Sequence, residues 1–176
     1  RLVVIGGGYI GLELGGTYAR LGSKVTVLEM MDQLLPGFAK DLVRPVERKL
    51  VKAGADIKLK HKALGWEKKN GALVVHVEDD KGIKAEVPCD KILVTVGRRP
   101  NSENLGLEAL GVTIERGFVK VNQRLETSVA GIYAIGDLVG NPMLAHKATA
   151  EGEVCAEVIA GHNAVFDKKA IPAIVF

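Results

Sequence analysis

The sequence predicts an α/β protein: a parallel sheet wound with helices, an antiparallel β-meander returning into that sheet, and a second α/β segment after it. Three observations predict this. Residues 1–5 ("RLVVI") are a short continuous aliphatic run typical of a buried parallel strand, 24–29 ("KVTVLE") are a second, β-branched strand, and 91–97 ("KILVTVG") return to the aliphatic type and are expected in the same parallel sheet. A helical repeat of apolar side chains separates the first two, giving a strand–helix–strand unit within about 30 residues, whose crossover is right-handed. Residues 63–87 instead alternate in strand fashion, with turns at "KKNG" and "DDKG", as a meander does.

Taken in order, the helix over 11–21 has Leu12, Tyr18, Ala19 and Leu21 at helical spacing and stops at Gly22. A second helix is expected over 41–53, with Val43, Val46 and Leu50 on one face, Gly54 as its C-cap, and Pro45 leaving its start open by a turn. "DIKLKH" (56–61) follows as a strand completing a second βα repeat. After "GRRPN" the texture changes. "LGLEALGV" is irregular, "GFVKV" is a small strand, and "GIYAIGD" is expected as a buried strand ending on Asp137. Residues 146–161 are helical and closed by Gly161, and "AIPAIVF" is read as the start of another strand. The boundary between the first domain and this return segment is placed near Arg98. A first strand without lead-in and a last strand cut mid-course lead us to expect an excerpt of a longer polypeptide.

Composition narrows the function classes. Hydrophobic residues make up 47% of 176 residues, so a sizeable core is expected and wholesale disorder is not. The net charge of +3 comes from interleaved acids and bases, which read as solvated faces rather than a nucleic-acid footprint. No apolar run approaches the roughly 20 residues of a membrane span, and no signal peptide is visible. Cys89 and Cys155 have no metal or redox spacing and are read as buried thiols of a reducing compartment.

The chemistry is concentrated in "GGGYIGLELG". Gly6, Gly8 and Gly11 satisfy G-x-G-x-x-G between a strand and a helix, where the mechanism of dinucleotide binding needs them. Gly6 permits the tight turn, Gly8 lets a pyrophosphate approach the backbone, and Gly11 allows helix and strand to pack closely. Gly15 extends the small face. The N–H groups and dipole at the helix start then attract the pyrophosphate. Glu29 ends the second strand roughly 20 positions later, where a carboxylate bonds the adenosine ribose hydroxyls and repels the extra phosphate of NADP. "EMMDQ" supplies no arginine, so the expected cofactor is NAD in a Rossmann-like domain. The bland alternative is a structural glycine turn beside an ordinary surface glutamate.

Five motifs, "GGGYIGLELG", "VTVLE", "TVGRRPN", "TSVAGIYAIGD" and "PMLAHKATAEG", stand in an order and spacing that resemble the dihydrolipoamide dehydrogenases of the pyridine nucleotide-disulfide oxidoreductase family. "PMLAHKA" is the specific part, because glutathione and mercuric reductases carry other residues there. The resemblance runs from residue 1 to 176. It implies a homodimeric flavoprotein that oxidises protein-bound dihydrolipoamide on the lipoyl domains of 2-oxo acid dehydrogenase complexes, through a cysteine pair and FAD, and reduces NAD. It divides the chain into an NAD-binding domain (1–98), the C-terminal part of an FAD-binding domain (99–166), and the start of a dimer-interface domain (167–176).

Carried over by motif, Gly6, Gly7, Gly8, Tyr9, Ile10, Gly11, Leu12 and Glu13 would wrap the NAD pyrophosphate and nicotinamide side, and Glu29 would hold the ribose. Ala63 and Gly97 would line the adenosine end through backbone. Asp137 would bond the ribityl or pyrophosphate region of FAD, and Met143, Leu144, Ala145 and His146 would lie along the flavin. A helix starting there directs its positive end at the flavin's pyrimidine edge and favours the anionic reduced form. The bland alternatives are a turn residue for Asp137 and plain packing for the side chains of 143–145. Tyr9 is either an aromatic gate over the flavin or packing beside the glycine turn. Glu13 is either a partner of a flavin-domain lysine near the nicotinamide or a solvated charge.

The family's first glycine motif for FAD, its Cys-x4-Cys pair with the following lysine, and its His-Glu dyad do not occur among these residues, and neither cysteine replaces the disulfide. His61 and His76 read as strand-surface residues and His162 follows a helix cap. No catalytic residue and no metal site is therefore expected in these 176 residues, which alone should bind NAD without turnover. The implied location is the bacterial cytoplasm or the mitochondrial matrix. Alternatives are another FAD/NAD disulfide reductase, an NADH oxidase, or a non-catalytic nucleotide-binding module.

Overall fold

The computed structural model describes residues 1–175, which form two compact units, Arg1–Gly97 and Arg98–Ile174. In the first, β1 (Leu2–Ile5), α1 (Tyr9–Arg20), β2 (Val25–Glu29), α2 (Lys40–Lys52) and β3 (Asp56–Leu59) alternate as expected. The chain then enters the meander β4 (His61–Lys69), β5 (Ala72–Asp79) and β6 (Lys84–Cys89) before returning as β7 (Lys91–Val94). The parallel sheet has the order β3-β2-β1-β7, so successive strands grow outward on one side of β1 and the chain crosses to its other side only after the meander. Such a reversal beside the first strand opens a crevice at the carboxyl ends, where ligands of doubly wound sheets sit.

The two faces of this sheet account for the unalternating strands. Val4, Val25 and Val27 pack with Leu12, Ala19, Val43 and Leu50 under the helices, while Val3 and Leu28 pack with Val75, Val77 and Cys89 under the meander. Both faces are covered over β1 and β2, so neither parity of those strands is free to be polar, whereas β7 ends at Val94, and Val94 and Val96 are exposed at 62% and 71%.

Four local expectations need correction. Tyr18 and Leu21 are exposed at 47% and 76%, and α1 buries Gly11, Gly15 and Gly16 instead, because glycines admit the close helix–sheet contact. "DIKLKH" is not one strand: Lys60 has φ +55° and splits it between the parallel sheet and the meander.

In the second unit "GIYAIGD" forms no strand. Among the described residues one isolated bridge, Glu126–Tyr133, pairs this run, Ile135 is 37% exposed, and Gly136–Leu138 is a turn of 3₁₀ helix. The run's neighbouring edge is only Leu125–Thr127, bonded through Thr127 N–H to the Ile132 carbonyl (3.0 Å) and Ala134 N–H to the Leu125 carbonyl (3.2 Å), so aliphatic content alone does not extend the pairing into a strand. Residues 170–175 of "AIPAIVF" likewise have no strand pairing, and Phe176 lies outside the described residues. The rest of this unit is a hairpin, β8 (Ile114–Glu115) and β9 (Phe118–Val119), and α3 (Ala145–Ile159), whose Val154, Cys155 and Val158 pack on Leu125.

Candidate dinucleotide site

The glycine turn at the end of β1 is held from three sides. Gly6 has φ +107°, and a Cβ there would stand 2.6 Å from the Thr95 carbonyl oxygen. A Cβ on Gly11 would collide with the Gly6 carbonyl and with Thr95 Oγ1. Thr95, just past β7, seals this turn: its hydroxyl donates to the carbonyls of Ile5 (3.0 Å) and Gly6 (3.1 Å), and its N–H to Ile5 (2.8 Å). From β2, Gly6 N–H reaches Leu28 O at 2.9 Å.

Glu29 makes the third contact. It is buried, and its carboxylate accepts the N–H of Gly7 at 2.7 Å and of Met31 at 2.8 Å. The surface-glutamate alternative is thereby excluded. The side chain ties β2, the loop after it and the glycine turn together, and each oxygen retains a second lone pair for a sugar hydroxyl.

Gly8 is different from its neighbours. A Cβ there would meet nothing within 4 Å, and it precedes α1 as an N-cap with no side-chain hydrogen bond. Leu12 N–H is bonded to Gly8 O at 3.0 Å, so the turn of backbone before it presents the N–H groups that a helix leaves without internal partners. An open, side-chain-free approach to a helix N-terminus is the cradle a diphosphate requires, and these residues fit that group.

The other residues singled out by motif fall into distinct places. Gly7 has its N–H on Glu29 and its carbonyl on Leu35 N–H at 2.8 Å, so it holds the turn together. Leu12 is 0% exposed and its side chain is core, whereas Ile10 is exposed at the helix start. Tyr9 is half-buried against the first core. Glu13 is exposed and borders a cavity of about 470 Å³ between α1 and α2, lined also by Gly16, Leu42 and Lys49 and apart from the glycine turn. Ala63 sits on β4 opposite Val77 and packs in the second core, and Gly97 is exposed with φ +129°.

In the second unit, Asp137 lies in the 3₁₀ turn with its carboxylate 3.1 Å from Arg98 Nη1, and Arg98 Nη2 donates to the Met143 carbonyl. Met143 is buried, Leu144 is half-buried and is the N-cap of α3 without a side-chain cap, and Ala145 and His146 are exposed. His146 Nε2 lies 2.7 Å from the Pro172 carbonyl. An exposed carboxylate and an uncapped helix start on one small unit suit the hydroxyl and ring edges of a flavin cofactor.

Thr95, Arg98, Lys147 and Glu151 stand inside the motifs "TVGRRPN" and "PMLAHKATAEG", but the sequence assigns none of them a role, because their partners are set by tertiary contact. Lys147 and Glu151 form a buried ion pair at 2.8 Å on α3. Burial raises the pKa of both thiols above the ordinary range, that of Cys89 and that of Cys155. Glu67, His76 and Glu86 converge on the meander surface, but the Lys69 ammonium already holds both oxygens of Glu86 at 3.1 Å. Among the described residues no helix is long and apolar enough to cross a membrane.

Comparison with known proteins adds the context. Residues 1–152 match the family model for pyridine nucleotide-disulphide oxidoreductases. The chain is 50% identical to a dihydrolipoyl dehydrogenase of Thermus scotoductus over all of its own length and 38% of that protein. It is 48% identical to the dihydrolipoyl dehydrogenase of Geobacillus stearothermophilus, over 99% of the chain and 37% of the relative. The chain thus spans less than two-fifths of these curated relatives. Among solved structures, the HOCl-induced flavoprotein disulfide reductase RclA from Escherichia coli superposes with a TM-score of 0.90 at 30% identity, covering 99% of the chain and 40% of RclA.

Proposed function

Starting from a chain that belongs to the pyridine nucleotide-disulphide oxidoreductase family, we propose that it is the NAD-binding portion, with part of the FAD-binding portion, of a dihydrolipoyl dehydrogenase. The single observation that carries the NAD assignment is Glu29, buried at the end of β2 with its carboxylate on the glycine turn. In that position it accepts from the ribose hydroxyls and opposes a 2′-phosphate, while the N-terminus of α1 faces the pyrophosphate.

The parent enzyme oxidises dihydrolipoamide on lipoyl domains of 2-oxo acid dehydrogenase complexes and reduces NAD, as a homodimer in a reducing compartment. Bound FAD supplies the two-electron relay between a cysteine pair and the nicotinamide. The residues of this chain contribute binding and orientation. Gly6 to Gly11 and Glu29 hold NAD, Ala63 and Gly97 flank its adenosine end, and Asp137 with residues 143–146 holds one side of the flavin. Cys89 and Cys155 are buried thiols in separate units, so the redox disulfide belongs to residues outside these 176.

Titration calorimetry of the 176-residue chain tests the NAD part: NAD should bind and NADP should bind at least about tenfold more weakly, the discrimination a like charge opposite Glu29 imposes. Equal affinities would remove the assignment. The substrate is tested by assaying the full-length protein with dihydrolipoamide and NAD. A flavoprotein disulfide reductase with another substrate is the second reading, favoured by the superposition with RclA and ranked second by 30% against 50% identity. The spacing of cysteines upstream of Arg1 separates the two.

A further inference from the structure

Two buried charges in the second unit have no part in the reading above. Lys147 and Glu151 are 5% and 2% exposed, one turn apart on α3. Removing two such charges from water is offset only when their remaining hydrogen-bonding capacity is also used. Here it is used on one residue. Glu151 Oε2 accepts the N–H of Gly136 at 2.6 Å, and Lys147 Nζ donates to the Gly136 carbonyl at 3.2 Å.

Those two groups belong to the successive peptide planes on either side of the Gly136 Cα. Fixing both planes fixes φ and ψ of Gly136, and with them the peptide plane that carries Asp137, whose own φ is set by the 3₁₀ turn Gly136–Leu138. The next side chain is Asp137. Gly136 has φ +74°, and a Cβ there would press on Ala148 Cβ at 3.2 Å, so the position takes glycine, the residue least able to hold its own conformation. The Arg98–Asp137 ion pair cannot replace this restraint, since both side chains are at least 40% exposed and water screens it. A pair of apolar side chains on α3 would fill the same volume but could not both accept from and donate to one glycine.

We propose that the Lys147–Glu151 pair is a positioning device: it clamps Gly136 so that the Asp137 carboxylate stands where the flavin cofactor's hydroxyls meet it, and thereby sets FAD affinity. This rests on the reading of Asp137 as a flavin contact. Lys147 and Glu151 themselves do not touch the cofactor.

The test is a double-mutant cycle in the full-length flavoprotein that carries this segment, with the apoprotein titrated with FAD and its thermal melt recorded. K147M/E151L removes both charges at similar volume and leaves neither buried alone. D137A removes the contact itself. The expected results are a weakening of FAD binding by about tenfold in each, with the triple variant no weaker than D137A, since a clamp has nothing to position once the carboxylate is gone. K147M/E151Q, which keeps an acceptor for the Gly136 N–H, should lie between wild type and K147M/E151L, and it carries the same cycle if the leucine variant does not fold. If D137A weakens FAD but the pair variants leave it unchanged, or add their full effect to D137A, the clamp is overturned. If D137A has no effect, the flavin role of Asp137 fails and the clamp's purpose with it. Failure of both pair variants to fold also overturns the proposal, because the pair would then be holding the unit rather than the aspartate.

Discussion

Glutamine at position 29 keeps the shape of glutamate and changes only the charge and one acceptor. The carboxylate accepts two backbone N–H groups, at 2.7 Å from Gly7 and 2.8 Å from Met31. An amide offers one oxygen, so its NH2 must face the other N–H, donor against donor. A hydrogen bond to a charged group contributes about 1.5–3 kcal/mol, and a buried N–H left unpaired costs about 1–3 kcal/mol. These overlap, and E29Q should lose roughly 2–4 kcal/mol, a large share of the 5–15 kcal/mol typical of a domain. The single tryptophan, Trp66, lies on β4 of the same unit, so urea unfolding followed by its fluorescence reads the unit in question. The ratio of NAD to NADP affinity, measured below the unfolding range, isolates the ribose contact from the brace and should fall toward one. An unfolding free energy within about 0.5 kcal/mol of wild type would refute the brace, and an unchanged ratio would refute the ribose contact.

Gly11→Ala drives a methyl against the Gly6 carbonyl and Thr95 Oγ1, and should destabilise the first unit by roughly 1–3 kcal/mol in the same urea assay. Gly8→Ala meets nothing within 4 Å and should leave stability near wild type while weakening NAD by calorimetry, because the methyl stands on the open approach to the helix start. Thr95→Val removes the hydroxyl from the Ile5 and Gly6 carbonyls and should lower urea stability by about 1 kcal/mol. Cys89 and Cys155 are buried with pKa values pushed up by desolvation, so a thiol reagent at pH 8 should react negligibly with the folded chain and titrate two thiols after unfolding in urea.

The sequence by itself determined the elements whose signals are local. Glycines at 6, 8 and 11 between an aliphatic run and a helical repeat define the turn. The β-branched run ending at Glu29 defines the next strand, and strand-like alternation with two glycine turns defines the meander. In each, the residues that carry the signal are also those that make the structure, so short windows suffice. Burial of Val43 and Leu50 on α2 was legible for the same reason.

What only the tertiary structure decided are the pairings between distant segments. Whether β7 lies beside β1 or beyond β3 depends on where the chain goes after the meander, which no window of sequence contains. Thr95 reaches Gly6 across 89 positions, and nothing local marks a threonine as the seal of a turn so far away. Lys147 and Glu151 have the spacing of any exposed helical ion pair; their meaning comes from the glycine brought against them. "GIYAIGD" errs in the opposite direction, an apolar run read as a strand although the edge it meets, Leu125–Thr127, is too short to carry more than one bridge. Backbone and side-chain polar groups must find partners, and those partners are set by the packing of the whole unit rather than by the residues alongside.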